Sequence, residues 1–285
     1  MSGPRPLAGL GLAVSWLTVV PVRVRTTADG ALPDGVAAAA LRWAPLVGAG
    51  LGAAGGALLV VLVALGVSPL VAGLLTVGAG ALATRGMHID GLADTADGLG
   101  SYGPPERALR IMADGGAGPF AVVTLLVVLG ARAAALAQLV TAPPVAVLLV
   151  CTLAAATGRA GFCWVARRGT PAARPGGLGA TVAGSQPVWT APLWWAGLAA
   201  AAATALVVTL DRAGGPQRYA SVPGAGPAEV VLAVTGAVLL AALLVVGLAR
   251  HTRRRFGGMS GDVLGAACEL GGTAVLVVLA AALTG

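Results

Sequence analysis

From Trp43 to Thr84 the chain runs for 42 residues without an ionisable side chain. Crossing the hydrocarbon core of a bilayer takes about 20 apolar residues as a helix. The run is therefore long enough for two spans, 43–65 and 69–84, turning at Gly66–Pro69. Lipid offers backbone groups no hydrogen bonds, so each span must satisfy its own as a helix. The rest of the chain has the same character. Only 10% of its 285 residues are charged, against about 25% in soluble domains, and mean hydropathy is +0.89. This composition excludes soluble, disordered and disulfide-scaffold classes. It predicts an all-α, polytopic transmembrane helical bundle forming one integral-membrane domain over residues 1–285.

Further spans are expected at 119–140, 145–166, 189–210, 229–249 and 263–284, about seven in all. Residues 7–20 are apolar but short, and are expected to be an interfacial or re-entrant segment. Alternating the seven spans puts 14 of the 18 arginines in the segments 1–42, 85–118, 167–188 and 250–262. Arg212 and Arg218 fall on the other side, and Arg132 and Arg159 inside spans. By the positive-inside rule the arginine-rich side is cytoplasmic. The net charge of +7 is thus a matter of topology. With no basic run interleaved with aromatics, no nucleic-acid partner is expected. Cys151, Cys163 and Cys268 have no metal-ligand spacing and read as small apolar residues in helices.

Against this background the acids stand out. Asp90, Asp94 and Asp97 are spaced i, i+4, i+7, which puts three carboxylates on one face of a helix. Their mutual repulsion would be relieved by a divalent cation, and Mg²⁺ suits a few carboxylates acting together with substrate phosphates. Small neighbours, Gly91 and Gly98 among them, leave room for a bulky ligand. A second pair, Asp262 and Glu269, is spaced i, i+7. Asp262 could cap the last span; Glu269 lies two turns into it, where an acid calls for a function or a partner such as Arg132 or Arg159. His88, two residues before Asp90, could be a base, a ligand or a structural donor.

These residues carry a resemblance. His88-Ile-Asp-Gly-Leu-Ala-Asp-Thr-Ala-Asp-Gly98 resembles the hallmark of the cobalamin synthase family, the adenosylcobinamide-GDP ribazoletransferases, with one conservative change. Gly257 to Glu269 resembles that family's C-terminal motif, and Trp16-Leu-Thr-Val-Val-Pro-Val22 its N-terminal one. Gly177-Leu-Gly179 and Arg159 also have counterparts. There are departures. After Asp114 the chain reads Gly-Gly-Ala-Gly118, without the arginine usual there, Arg85 stands where glycine is usual, and Arg132 stands near a position that is often lysine.

The resemblance implies a Mg²⁺-dependent phosphotransferase of the bacterial plasma (inner) membrane, its active site facing the cytoplasm. It would join adenosylcobinamide-GDP to α-ribazole or α-ribazole 5′-phosphate, as a monomer or a homo-oligomer in the lipid bilayer. The products would be adenosylcobalamin, or its 5′-phosphate, and GMP. Asp90 and Asp94 would hold Mg²⁺ on the pyrophosphate, with Asp97 a further ligand or the general base. Asp114 would join the acidic set. Asp262 and Glu269 would complete a second metal position or hold an arginine, and Arg132 and Arg159 would meet substrate phosphate.

Two other readings fit less of the chain. A CDP-alcohol phosphotransferase pattern resembles Asp-x-x-Asp-Gly-x-x-Ala-Arg followed by spaced aspartates; the Ala-Arg and the last spacing are missing here. An ion-coupled transporter would spread acids along several spans near the midplane, whereas these gather outside the spans.

Overall fold

The computed structural model describes residues 6–27, 31–212 and 226–284. Arg5 and Arg218, both counted in the charge balance above, lie outside the described residues. Eleven helices are described: α1 (Pro6–Leu17), α2 (Val36–Ala64), α3 (Pro69–Ala83), α4 (Met87–Gly100), α5 (Pro105–Ala113), α6 (Pro119–Leu139), α7 (Pro144–Val165), α8 (Gly177–Val182), α9 (Thr190–Arg212), α10 (Pro227–Phe256) and α11 (Gly261–Thr284). The described residues contain no strand; two isolated bridges, Arg167–Gln186 and Ala172–Met259, stitch loops together.

Six helices, α2, α6, α7, α9, α10 and α11, are long and apolar enough to cross a membrane, and α3 with α4 makes a seventh candidate. The all-α polytopic bundle is as expected, but three boundaries move. α2 begins at Val36 and carries Arg42 in its first turns, and α10 continues to Phe256, carrying Arg250 to Arg255. Charges ended the apolar pattern there without ending the helix, which projects past the apolar layer. Third, the segment 85–118, expected as a connection, folds into α4 and α5.

Between α3 and α4 the chain turns by 94°. The corner is made by two left-handed residues, Arg85 (φ 55°) and Gly86 (φ 69°). Glycine adopts this conformation freely, whereas arginine does so at a cost. The Arg85 guanidinium offsets that cost by donating to the carbonyls of Ser15 and Trp16, at 3.1 and 3.2 Å. The Val19 amide donates to Ala83 O at 2.8 Å, so the corner is clamped to the end of α1.

α7 and α11 form the centre: 72% and 78% of their most apolar stretches are buried, against 22–33% in the other four long helices. Glycines set their neighbours close. Gly48, Gly52 and Gly56 form a stripe on α2 where any side chain would overlap the α7 backbone or side chains around Ala155, Cys151 and Leu148. Gly158 of α7 lies against the Cys268 carbonyl of α11. Without a hydrophobic force between helices in lipid, such close backbone contact is the main source of association. Gly158→Val should therefore lower the thermal midpoint of the purified protein, by the equivalent of about 1–3 kcal/mol; an unchanged midpoint would show that the α7–α11 contact is not tight.

Around this centre, apolar side chains face outward, with Leu126 and Leu232 70% exposed and Leu243 68%. In water such a surface would aggregate; in lipid it is the proper solvent-facing side. The chain is an integral membrane protein.

Candidate active site

One end of the bundle gathers the starts of α2, α6 and α11 and the ends of α3, α7 and α10. The Cys163 thiol at the end of α7 donates to Leu41 O near the start of α2, and Arg255 at the end of α10 donates to Ser101 O at 2.8 Å. Because of the 94° corner, α4 lies across this end, close to a right angle to α3. Gly91 of α4 rests on the Asp262 backbone, and Gly265 of α11 on the His88 backbone. These two contacts bring Asp262 to the acids of α4.

The Asp94 carboxyl is pushed up to about 6, first by burial, then by the charges of Asp90 and Asp262, with Arg174 acting the other way and Asp97 adding a little. No ion pair neutralises any of these acids among the described residues. Asp90, Asp262, Arg174, Ser260 and His88 share a cavity of about 320 Å³. Arg174 arrives from the loop before α8. Gly179 of α8 sits on the Ser260–Gly261 backbone, and the Arg174 guanidinium also donates to Leu109 O at 2.7 Å. Reading the sequence missed Arg174. Its signal was position: a lone arginine just ahead of Gly176-Gly177-Leu178-Gly179.

Asp97 is on the same helix but has a different task. Its two carboxylate oxygens accept from the amides of Gly118 (2.6 Å) and Ala121 (2.9 Å), capping the start of α6. The expected room beside Gly91 and Gly98 is filled by the protein itself, the first by α11 and the second by Met112 and Phe256. These glycines admit neighbouring helices, which corrects their reading as ligand space. Asp114 is the exposed C-cap of α5 and lines neither cavity of the site.

A second, inner cavity of about 260 Å³ lies between α2, α3, α6, α7 and α11. Leu51, Val77, Leu136 and Leu276 supply apolar wall, and Arg132, Arg159, Cys268, Glu269 and His88 the polar part. Glu269 forms an ion pair with Arg132, whose guanidinium also reaches Glu269 O at 3.4 Å. Of its two suggested partners Glu269 thus has Arg132. His88, Cys268 and Glu269 offer ligand atoms that lie within 4.8 Å of one another.

His88 is the single described residue that lines both cavities. It is 4% exposed, its ring stands 5.7 Å from that of Phe162, and neither ring nitrogen has a partner. Burial, with the charges of Arg159 and Arg132, holds its pKa well below the usual histidine value.

Fold and site together define a polytopic membrane protein with a carboxylate-lined cavity at its arginine-rich end and a guanidinium-floored chamber beneath it. The chain belongs to the cobalamin-5-phosphate synthase family, whose model matches residues 9–280. It is 40% identical to the adenosylcobinamide-GDP ribazoletransferase of Corynebacterium efficiens over 283 residues, 99% of this chain and 94% of that one. The proteins of the same name from Nocardioides sp. and Brucella anthropi are each 37% identical, covering 94% and 95% of this chain and 96% and 95% of theirs. No solved structure matches.

Proposed function

We propose that this chain joins adenosylcobinamide-GDP to α-ribazole or α-ribazole 5′-phosphate, forming adenosylcobalamin or its 5′-phosphate and GMP. The family and the names of its relatives support this reading. The observation that carries it is the convergence of Asp262 on Asp90 and Asp94 beside Arg174. A ribose hydroxyl oxygen of the acceptor bonds to the phosphorus that bears the cobinamide. The bond from that phosphorus to the bridging oxygen breaks, and GMP leaves with that oxygen and its electron pair. The hydroxyl proton passes to a base.

Asp90, Asp94 and Asp262 suit a hard divalent cation. They are all-oxygen donors, unneutralised by any ion pair, and crowded enough to raise the Asp94 carboxyl. Mg²⁺, when bound, supplies neutralisation of pyrophosphate and leaving-group charge. Arg174 stands where its guanidinium can bind a phosphate oxygen. His88 receives the hydroxyl proton at a ring nitrogen: both nitrogens are unpartnered, and the ring lies between the two cavities. Asp97 holds the start of α6 against α4 and so keeps the acids in register. The arginine-rich end faces the cytoplasm of a bacterial plasma membrane.

Purified protein given both substrates and Mg²⁺ should release GMP and the corrinoid product in equal amounts; absence of GMP with either acceptor overturns the reading. Chelation of Mg²⁺ should stop the reaction. Because Asp94 takes up a proton near pH 6, and a ligand must be deprotonated to bind, Mg²⁺ affinity should fall by roughly tenfold per unit below that pH. Titrations of Mg²⁺ at pH 7.5 and 5 would read this, and equal affinities would remove Asp94 from the metal site.

A further inference from the structure

Arg159 lies in α7, one of the two most enclosed helices, and is 6% exposed. One of its terminal nitrogens donates to Ala155 O, a turn back in the same helix, at 3.2 Å. Its Nε has no partner. Among the described residues no carboxylate lies within ion-pair distance of it, and Glu269, in the same cavity, is held by Arg132. A guanidinium buried among apolar helices without a counter-ion destabilises the protein unless an anion meets it there. The cavity it lines has apolar wall on α2, α3, α6 and α11. Such a chamber suits a ligand with a flat apolar part and one anionic group. At about 260 Å³ it has room for a bicyclic base and far too little for a corrinoid.

We infer that Arg159 is the receptor for the 5′-phosphate of the acceptor, α-ribazole 5′-phosphate, whose benzimidazole base lies against the apolar wall of the inner cavity. This rests on the proposed reaction and deepens it by giving the two substrates separate cavities. The acidic cavity would repel a free phosphomonoester; pyrophosphate would be accepted there by Arg174 together with a cation held by the acids. The inner cavity carries two guanidiniums against one carboxylate, an excess of positive charge. The 5′-phosphate and the attacking hydroxyl belong to one ribose. A phosphate at Arg159 therefore keeps that hydroxyl near His88, the wall between the cavities.

The test uses the full chain in detergent, with α-ribazole and α-ribazole 5′-phosphate as paired acceptors, in wild type, Arg159→Met and Arg159→Lys. In wild type the phosphorylated acceptor should raise the thermal midpoint more than α-ribazole does. In Arg159→Met that difference should vanish, and selectivity in kcat/KM for the phosphorylated acceptor should fall at least about tenfold. Arg159→Lys should recover part of it, since lysine keeps the charge but not the fork. Without ligand, Arg159→Met should melt at or above the wild-type temperature, because an unpaired buried charge has been removed. A midpoint well below wild type, equal loss toward both acceptors, or a rise in KM for adenosylcobinamide-GDP in place of the acceptor would overturn the assignment. The midpoint shift by α-ribazole 5′-phosphate reads Arg159 even if no GMP is formed, so failure of the proposed reaction and failure of this inference are told apart.

Discussion

Replacing Asp94 with asparagine should lower GMP release by on the order of 100-fold or more and yet make the metal-free protein more heat-resistant at pH 7.5. Both effects come from one geometry. Asp94 sits on α4 among Asp90, Asp97 and Asp262, partly buried, with Arg174 as the opposing charge. Its carboxyl therefore titrates at about 6, above its ordinary 3.8. A raised carboxyl pKa means that the folded state holds the proton more tightly than the unfolded chain does. Stability is then lost as pH rises from about 4 through 6, and at pH 7.5 the ionised group destabilises the metal-free fold. Asparagine removes that penalty, so the variant should melt higher at pH 7.5 and no higher at pH 4. Mg²⁺ should reverse the order, raising the midpoint of wild type by binding the native state and leaving the variant nearly unmoved. Wild-type turnover by the purified Asp94→Asn protein would exclude Asp94 from the chemistry.

The second large effect is on assembly. Glu269→Gln should destabilise the bundle by about 3 kcal/mol, because it leaves the largely enclosed Arg132 guanidinium without its counter-charge. Arg132→Met should be milder, since a lone buried carboxyl can take up a proton and become neutral. The double variant Arg132→Met, Glu269→Leu should return close to wild-type stability, as replacement of a buried pair by apolar groups often does. The side chains of the pair are 19% and 8% exposed, so solvent screens them little. With Glu269→Leu added as the matching single variant, thermal midpoints of wild type, Arg132→Met, Glu269→Leu and the double variant form a double-mutant cycle. Additive effects would mean that the two residues do not stabilise each other. Mg²⁺ affinity should be retained in Glu269→Gln, since Glu269 holds an arginine and lies in the other cavity.

The bundle was legible because an apolar run in a charge-poor chain has few alternatives. The acids of α4 were legible because i, i+4, i+7 spacing puts them on one helical face, and Asp262 because it stands at the start of a long apolar run. The 94° corner was not, since nothing in a sequence marks an arginine that will take a left-handed conformation, as Arg85 does. Nor was the task of Asp97, whose partners, the Gly118 and Ala121 amides, come at the start of a later helix. A hint was present in Gly118-Pro119, a helix start with no side chain to cap it. Gly91 and Gly98 misled for a similar reason. Small residues announce a close approach but not who approaches, and here it is α11, Met112 and Phe256. Arg159 was legible as a buried cation, while the separation of its cavity from that of the acids arises from the packing of helices far apart in the sequence.

The enclosure of α11 has a consequence for biosynthesis. This helix follows the other ten in chain order, yet it is the most deeply enclosed of the long ones. It supplies Asp262 to the acids, Glu269 to Arg132 and the backbone against which Gly158 rests. A nascent chain that has inserted only α1 to α10 holds Arg132 and Arg159 without Glu269 and presents the glycine face of α7 to lipid. The α7 face that bears Gly158 therefore stays unpacked until α11 arrives, and that helix enters as a keystone, completing the packing and the chemistry in one step.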